Sequence, residues 1–260
     1  MQIVADNLTI TSTSIANAVQ QRDPGPIMDL VRRCEAAGAG MIDINSGPLT
    51  RAPAETMAFL VESVQKATSL PLLLDTSNPV AMEAGLMTCR SKAIINGFSL
   101  EPDKLTNILP LARRFNTRII GYLLYPDSNV PTSGTERLTV ALELYARFVE
   151  AELAPEQLII DPVVPPLIWP NGHSQAMDVV QVIRTLPDLL DFRVTSIAGI
   201  SNLTSGPGDA PRKPVFEQCY VAMLAEAGLD MALMNVTHAG TMTAVQACNT
   251  LTGTKIFSWI

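Results

Sequence analysis

Apolar and polar positions along this chain follow two patterns that take turns. Short apolar runs without polar interruption, such as Leu72-Leu73-Leu74, have the continuous hydrophobicity of strands buried on both faces of a parallel sheet. Between them lie longer stretches in which apolar residues return every three to four positions, as Ile27, Leu30, Val31 and Cys34 do, the spacing of an amphipathic helix. Strands are predicted at residues 2–5, 41–45, 70–75, 92–96, 118–124, 158–161, 194–201 and 231–235. Helices are predicted at 24–37, 54–68, 79–89, 102–115, 135–152, 174–186, 215–228 and 239–251; Gly38 and Gly40 stop the first, and Pro102 suits the opening turn of the fourth. Residues 6–13 read as a polar loop, and the proline-rich stretch 162–172 reads as an extended loop after its strand.

These are about eight β-then-α units of roughly thirty residues, with no linker or shift of composition between them. Residues 1–260 are therefore expected to form one domain, a single (β/α)8 TIM barrel. A doubly wound open sheet is the competing fold. It would carry a glycine-rich first turn if it held a dinucleotide, and neither G-x-G-x-x-G nor a P-loop pattern occurs.

Six of the apolar runs stop in the same way. MIDIN ends at Asn45 and includes Asp43, LPLLLD ends at Asp75, KAIIN at Asn96, LIID at Asp161, IAGISN at Asn202 and ALMN at Asn235. Any one of them could be the cap of the helix that follows. In a parallel barrel, however, all strand C-termini open on one face, so six such ends describe a rim of carboxylates and amides around one pocket.

Composition narrows what that pocket serves. Hydrophobic residues make up 47% and charged ones 17%, which excludes a disordered interaction protein. The formal net charge of −7 disfavours a nucleic-acid backbone as partner, because such binding needs clustered Lys and Arg. No apolar run is long enough for a membrane span, and the first residues lack the basic start and apolar stretch of a signal peptide, so no membrane association and a cytoplasmic location are expected. Cys34, Cys89, Cys219 and Cys248 are widely separated, without a Cys-x-x-Cys pair, and read as reduced, mostly buried thiols rather than a zinc site or a disulfide framework.

The candidate site residues are Asp43, Asp75 and Asp161 with Asn45, Asn96 and Asn202. They offer hydrogen-bond acceptors and mixed donor-acceptor amides, not a nucleophile with its base. His173 and His238, the two histidines of the chain, fall in a loop and at the start of the last helix, so no Ser-His-Asp arrangement is expected. No metal is expected either: the acids have no D-x-D cluster, and their Asn partners favour hydrogen bonding to a nitrogen-rich ligand. A carboxylate can accept from the two adjacent N–H groups of a 2-amino-4-oxo pyrimidine edge, the edge that a pterin presents.

The runs QRDPGP (21–26), MIDINSGP (41–48), LLLDTSNPVAMEAGL (72–86), KAIING (92–97), LIIDPVVPP (158–166) and GISNLTSG (199–206) together resemble the methyltetrahydrofolate:corrinoid methyltransferases. The resemblance covers essentially the whole chain in the same order. It implies a pterin-binding barrel that moves a methyl group between N5 of tetrahydrofolate and the cobalt of a corrinoid, with tetrahydrofolate or 5-methyltetrahydrofolate as substrate. It also implies that Asp75, Asn96 and Asp161 hold the pterin ring, that Asp43 and Asn45 form a polar patch beside it, and that Asn202 lies near N5 as the catalytic donor. The chain has no D-x-H-x-x-G cobalamin motif, so the cobalamin is expected on a separate corrinoid protein that docks transiently over the rim. Two departures stand out. Asp6-Asn7-Leu8-Thr9 occupies the place of the family's Glu-x-x-Asn segment, and Gly206-Pro207-Gly208 looks added, which leaves the roles of the first strand's end and of Arg212 and Lys213 unassigned.

Three other readings compete. A dihydropteroate synthase would share the barrel, but the LNVTPDSF-type loop is missing and no lysine lies close to the end of the seventh strand. A non-catalytic folate carrier would bind and turn nothing over. A sugar-phosphate enzyme would want a glycine-rich cradle after the last strands, for which 235–240 is a thin candidate. The direction of methyl transfer is left open. Met57, Leu60, Met82, Leu86 and Met87 make the outer helices look more apolar than a solvated face requires, and a homodimer is expected on that ground.

Overall fold

The computed structural model describes residues 1–49, 51–208, 211–253 and 258, so position 50 of the loop expected at 46–53 and positions 209–210 of the loop expected at 202–214 lie outside the described residues. Among the described residues, parallel strands close into an eight-membered barrel in chain order: β1 (Gln2–Thr9), β2 (Met41–Asn45), β3 (Leu72–Asp75), β4 (Ile94–Phe98), β5 (Ile119–Tyr122), β6 (Leu158–Asp161), β7 (Thr195–Gly199) and β8 (Met231–Met234). β8 pairs back onto β1, which leaves no open edge. The helices around it are α1 (Thr13–Gln21), α2 (Gly25–Ala36), α3 (Pro53–Ala67), α4 (Pro79–Thr88), α5 (Pro102–Asn107), α6 (Leu109–Arg114), α7 (Gly134–Glu150), α8 (Gly172–Leu190), α9 (Lys213–Glu226) and α10 (Ala239–Leu251). The expected single (β/α)8 barrel is what forms.

Alternation along each strand sets the depth of the site. Val4, Met41, Leu73, Ile94, Ile120, Ile159, Ile197 and Met231, one from each strand, are buried together as a plug across the barrel interior. Side chains two positions apart share a face, so the residues two further along each strand look into the same interior nearer its C-terminal mouth. Those residues are Asp6, Asp43, Asp75, Asn96, Tyr122, Asp161, Gly199 and Leu233, and all line one cavity. The intervening strand residues, among them Ala5, Ile42, Ile44, Leu72 and Leu74, point outward into the jacket packed under the helices.

Beyond shifts of one or two residues at strand ends, four features differ from the sequence expectation. Residues 6–9 are strand, not loop: Leu8 and Thr9 pair with Ile44 and Asn45 after an irregularity that follows Ala5. A further helix, α1, follows that longer strand, burying Ile15 and Ala18. The helix expected at 102–115 is divided at Ile108, because Pro110 has no N–H for the carbonyl one turn back and instead sits in the first turn of α6. Finally, α8 continues through Pro187 to Leu190, where burial of Leu186 and Leu190 outweighs the missing backbone bond.

The apolar residues behind the expected dimer are interior. Met57, Leu60, Met82 and Leu86 are buried, and only Met87, 69% exposed, faces out. At Gly85 a methyl group would meet Met57 Cγ at 2.8 Å, so glycine allows α3 and α4 to close over these side chains. They consequently offer no dimer surface. Cys34 and Cys248 are buried free thiols, Cys89 is half-buried and Cys219 is exposed. No helix among the described residues is long and apolar enough to cross a membrane.

Candidate functional site

The cavity at the C-terminal mouth has a volume of about 330 Å³ and gathers all six residues expected there: Asp43, Asn45, Asp75, Asn96, Asp161 and Asn202. Register explains how. Asn45 is paired with Asp75 and Asp75 with Asn96 across β2, β3 and β4, so these three side chains stand in a row. On the facing strands Tyr122 is in register with Asp161.

The amides orient the acids. Asn45 Nδ2 donates to Asp75 Oδ2 at 2.7 Å, and the Gly47 N–H donates to Asn45 Oδ1 at 3.1 Å, which fixes the amide and leaves the second Asp75 oxygen for a ligand. Asn96 Oδ1 accepts from the Tyr122 hydroxyl, so its Nδ2 is the outward donor, and one of those hydrogens goes to Asp43. β4 runs on through Gly97 because only glycine fits there: a Cβ would lie 2.2 Å from Ile120 O. Asp161 Oδ1 accepts from the Val163 N–H at 2.8 Å. None of this is helix capping for Asp75, because the cap of α4 is Asn78, which accepts from the N–H groups of Val80 and Ala81.

Four more residues on the mouth, Asp6, Thr9, Tyr122 and Ser201, carry polar groups that were not expected there. Asp6 enters from β1 and accepts from Ser201 Oγ at 2.9 Å, and Thr9 and Ser201 also line the cavity. Tyr122 enters from β5. Counting two positions from the plug residues Val4 and Ile120 would have found Asp6 and Tyr122. Asn235, which ends an apolar run like the others, lies outside the cavity lining; its Oδ1 accepts from Asn7 Nδ2 at 2.6 Å. Asn202 is exposed and lies on a 3-10 turn, Ile200–Thr204, immediately after β7. His173 is exposed at the start of α8 and does not line the cavity, while His238 sits 3.6 Å from Glu217 beside it.

Electrostatically the site holds too many acceptors for itself. Burial raises the carboxyl of Asp161 to about 7 and that of Asp75 to about 6, the nearby Lys104 opposing the second shift. Asp43 is raised well above the carboxylate range, first by burial and then by the charge of Asp75, and its Oδ1 has no hydrogen-bond partner. Asp6 is raised by burial too, against the Ser201 hydrogen bond. An orphaned buried oxygen and crowded carboxyls are what a ligand rich in N–H donors would relieve.

The family model described as "Pterin binding enzyme" matches residues 6–235 of this chain. A protein of Eubacterium limosum named methylcorrinoid:tetrahydrofolate methyltransferase is 24% identical over 254 residues, covering 97% of this chain and 92% of its own. Among solved structures, a dihydropteroate synthase of Coxiella burnetii in complex with pteroic acid superposes with a TM-score of 0.71 at 15% identity, over 96% of this chain and 92% of that one. The dihydropteroate synthase of Xanthomonas albilineans with 7,8-dihydropteroate gives a TM-score of 0.69 at 20% identity, over 98% and 94%. At such identities the likeness to solved structures is one of fold.

Proposed function

The chain belongs to the pterin-binding enzymes, and on that premise we propose that it moves a methyl group between N5 of tetrahydrofolate and the cobalt of a corrinoid carried by a separate protein. The observation that carries this reading is the pairing of a cavity rich in acceptors with an exposed amide, Asn202, at its mouth. Among the described residues the polar lining is made of carboxyls, amides and hydroxyls. In this reading the chemistry rests on orientation and hydrogen bonding, as a methyl displacement does.

In this reading Asp75 and Asp161 accept from the ring N–H and amino groups, Asn96 donates to a ring acceptor, and Asn45 and Tyr122 hold their neighbours in register. Asn202 then faces N5. An amide suits both directions of the reaction: its oxygen accepts from the N5–H of tetrahydrofolate, and its NH₂ donates to N5 as the methylated amine becomes a leaving group. In the direction toward folate the N5 lone pair forms the new C–N bond, the cobalt–carbon bond breaks with its electron pair left on cobalt, and N5 releases its proton to water at the open mouth. The open mouth is where the corrinoid protein docks, and the name of the Eubacterium limosum relative supports this pair of substrates.

Dihydropteroate synthesis is the second reading, favoured by the folds of the solved neighbours. Against it, β7 ends in Gly199 and runs into Ile200-Ser201-Asn202 with no lysine; Lys213 lies on the next helix, where its Nζ bonds Gly206 O at 2.6 Å. The test is an absorbance assay of tetrahydrofolate with methylcobalamin, and of 5-methyltetrahydrofolate with cob(I)alamin. Turnover in either supports methyl transfer. Folate binding with neither turnover points to a carrier, and condensation of a pterin pyrophosphate with p-aminobenzoate points to the synthase.

A further inference from the structure

Asn202 stands in the middle of a turn that two carboxylates hold from opposite flanks. Ile200 and Leu203 are buried and anchor the 3-10 turn Ile200–Thr204 to the core, while its polar side chains are fixed separately. Before Asn202, Ser201 Oγ donates to Asp6 Oδ2 on β1 at 2.9 Å; after it, Thr204 Oγ1 donates to Glu217 Oε1 on α9 at 2.6 Å. A methyl group at Gly199 would lie 2.8 Å from Asn202 Nδ2, so the amide rests directly against the end of β7.

We propose that Glu217, acting through Thr204, is a positioning residue for Asn202: it fixes the turn from outside the cavity, so that the amide meets N5 in the orientation that methyl displacement requires. This rests on the reading of Asn202 as the group that faces N5. Asp75, Asn96 and Asp161 stand on strands of the barrel, whereas Asn202 stands on an exposed turn and needs a supporting contact to be equally well placed.

The cost of the arrangement argues against a role in packing alone. Glu217 is 6% exposed, and an apolar side chain would join α9 to the turn without burying a carboxylate. It also lies near a second acid: burial raises the carboxyl of Asp6, and the negative charge of Glu217 raises it further. Two acids that repel each other therefore flank one amide, a departure from the most stable choice of the kind expected where geometry serves chemistry. The carboxylate is itself bracketed, since His238 Nδ1 at the start of α10 lies 3.6 Å from Glu217 Oε2 while Oε1 stays on Thr204.

Three measurements on each variant test the proposal: single-turnover methyl transfer between folate and free cobalamin, calorimetric affinity for tetrahydrofolate, and the NMR signals of the Asn202 side-chain amide, assigned by their loss in Asn202→Ala. Thr204→Val keeps the shape of the side chain without its hydroxyl. It should slow transfer about five- to tenfold, the scale of one hydrogen bond, shift or broaden the Asn202 signals, and leave affinity within about twofold. Thr204→Ser, which restores the hydroxyl, should recover both rate and signals. Glu217→Leu should match Thr204→Val, Glu217→Gln should recover the rate because its amide oxygen still accepts, and Thr204→Val combined with Glu217→Leu should be no slower than either alone, since both remove the same bond. Unchanged rate and signals in Thr204→Val, or an equal fall of rate and affinity in Thr204→Val and Thr204→Ser alike, overturns the positioning role. If wild type binds tetrahydrofolate but transfers methyl in neither direction, the methyl-transfer reading falls, and unchanged Asn202 signals in Thr204→Val would overturn the positioning role independently of it.

Discussion

Arg137 Nε donates to the carbonyl oxygen of Pro162 at 3.1 Å, tying the first turn of α7 to the residue that follows Asp161. Arg137 is completely buried, and neither of its terminal nitrogens has a hydrogen-bond partner. One residue further on, Val163 has a φ of 60°, a left-handed conformation that a β-branched side chain resists, and its N–H is the group that holds Asp161 Oδ1. Such strain costs on the order of 1–3 kcal/mol and persists only where neighbours enforce it. The bond from the buried guanidinium holds the Pro162 carbonyl, on the peptide that leads into Val163.

Arg137→Met should therefore separate stability from binding. Replacing a buried, incompletely bonded charge by an apolar chain of similar length is often neutral or stabilising, so the melting temperature should hold or rise. Tetrahydrofolate affinity should fall about tenfold as the Asp161 loop relaxes, one hydrogen bond's worth of orientation. A large loss of melting temperature with unchanged affinity would show Arg137 to be structural only.

The raised carboxyls predict a pH dependence of stability. Asp161 has a folded-state value of about 7 against an ordinary 3.8, so its contribution is complete below about 4 and is lost as pH rises through 7. Asp75, at about 6, acts in the same sense. Without ligand, Asp161→Asn should stabilise the protein at pH 8 by roughly 2–4 kcal/mol, the linkage equivalent of the shift discounted for relaxation, and the gain should vanish near pH 4. Urea unfolding at the two pH values measures this. A constant difference between wild type and variant would refute it.

Ligand binding should weaken where stability improves. Asp75→Ala and Asp161→Ala each remove a buried acceptor for the pterin edge, and each should weaken tetrahydrofolate binding by roughly 1.5–3 kcal/mol with the fold intact. Below pH 7 the wild-type protein should also release a proton on binding, because the ligand's N–H donors favour the ionised carboxylates. Calorimetry in buffers of different ionisation enthalpy reads both quantities, and an absence of proton release at pH 6 would contradict the assignment.

Tyr122→Phe tests the orientation of Asn96. Without the hydroxyl, Asn96 Oδ1 loses its donor and the amide is free to turn over. An affinity loss of about fivefold is expected, close to 1 kcal/mol for one hydrogen bond, with little change in melting temperature. Unaltered affinity would mean that Asn96 is held by Asp43 alone.

Asn202 should govern rate more than affinity. Asn202→Ala removes one preorganised hydrogen-bonding group and should slow single-turnover methyl transfer by about 10²–10³-fold, while affinity falls only a few-fold because the ring stays anchored by Asp75, Asn96 and Asp161. Asn202→Asp should fail equally, since a carboxylate cannot donate to N5. Near-normal transfer by both variants would leave Asn202 as a turn residue.

The strand ends at Asp75 and Asp161 were legible because an apolar run that stops in a polar residue marks both the strand and its mouth, and Asn96 was found by the same signal although β4 continues to Phe98. Asp6 was not. Asp6-Asn7-Leu8-Thr9 has the composition of a loop, and it becomes strand because β2 on one side supplies partners, Ile44 and Asn45, to Leu8 and Thr9. Local propensity yields there to a tertiary constraint. The dimer argument failed for a related reason: a sequence marks Met57, Leu60, Met82 and Leu86 as apolar but does not say whether a neighbouring helix covers them, and α3 and α4 cover each other.

By itself the sequence determined the repeat of strand and helix, and with it the barrel, because hydrophobic period and the breaks between runs are local properties. It also determined that acids and amides would crowd one mouth, since parallel strands all point the same way. Tertiary structure alone decided which of these groups meet. Asn45 reaches Asp75 and Tyr122 reaches Asn96 through barrel register, and Arg137 steadies Asp161 from a helix twenty-four positions earlier in the chain. Those contacts depend on closure of the sheet and on the packing of α7 under the β6 loop, and no window of neighbouring residues encodes either one.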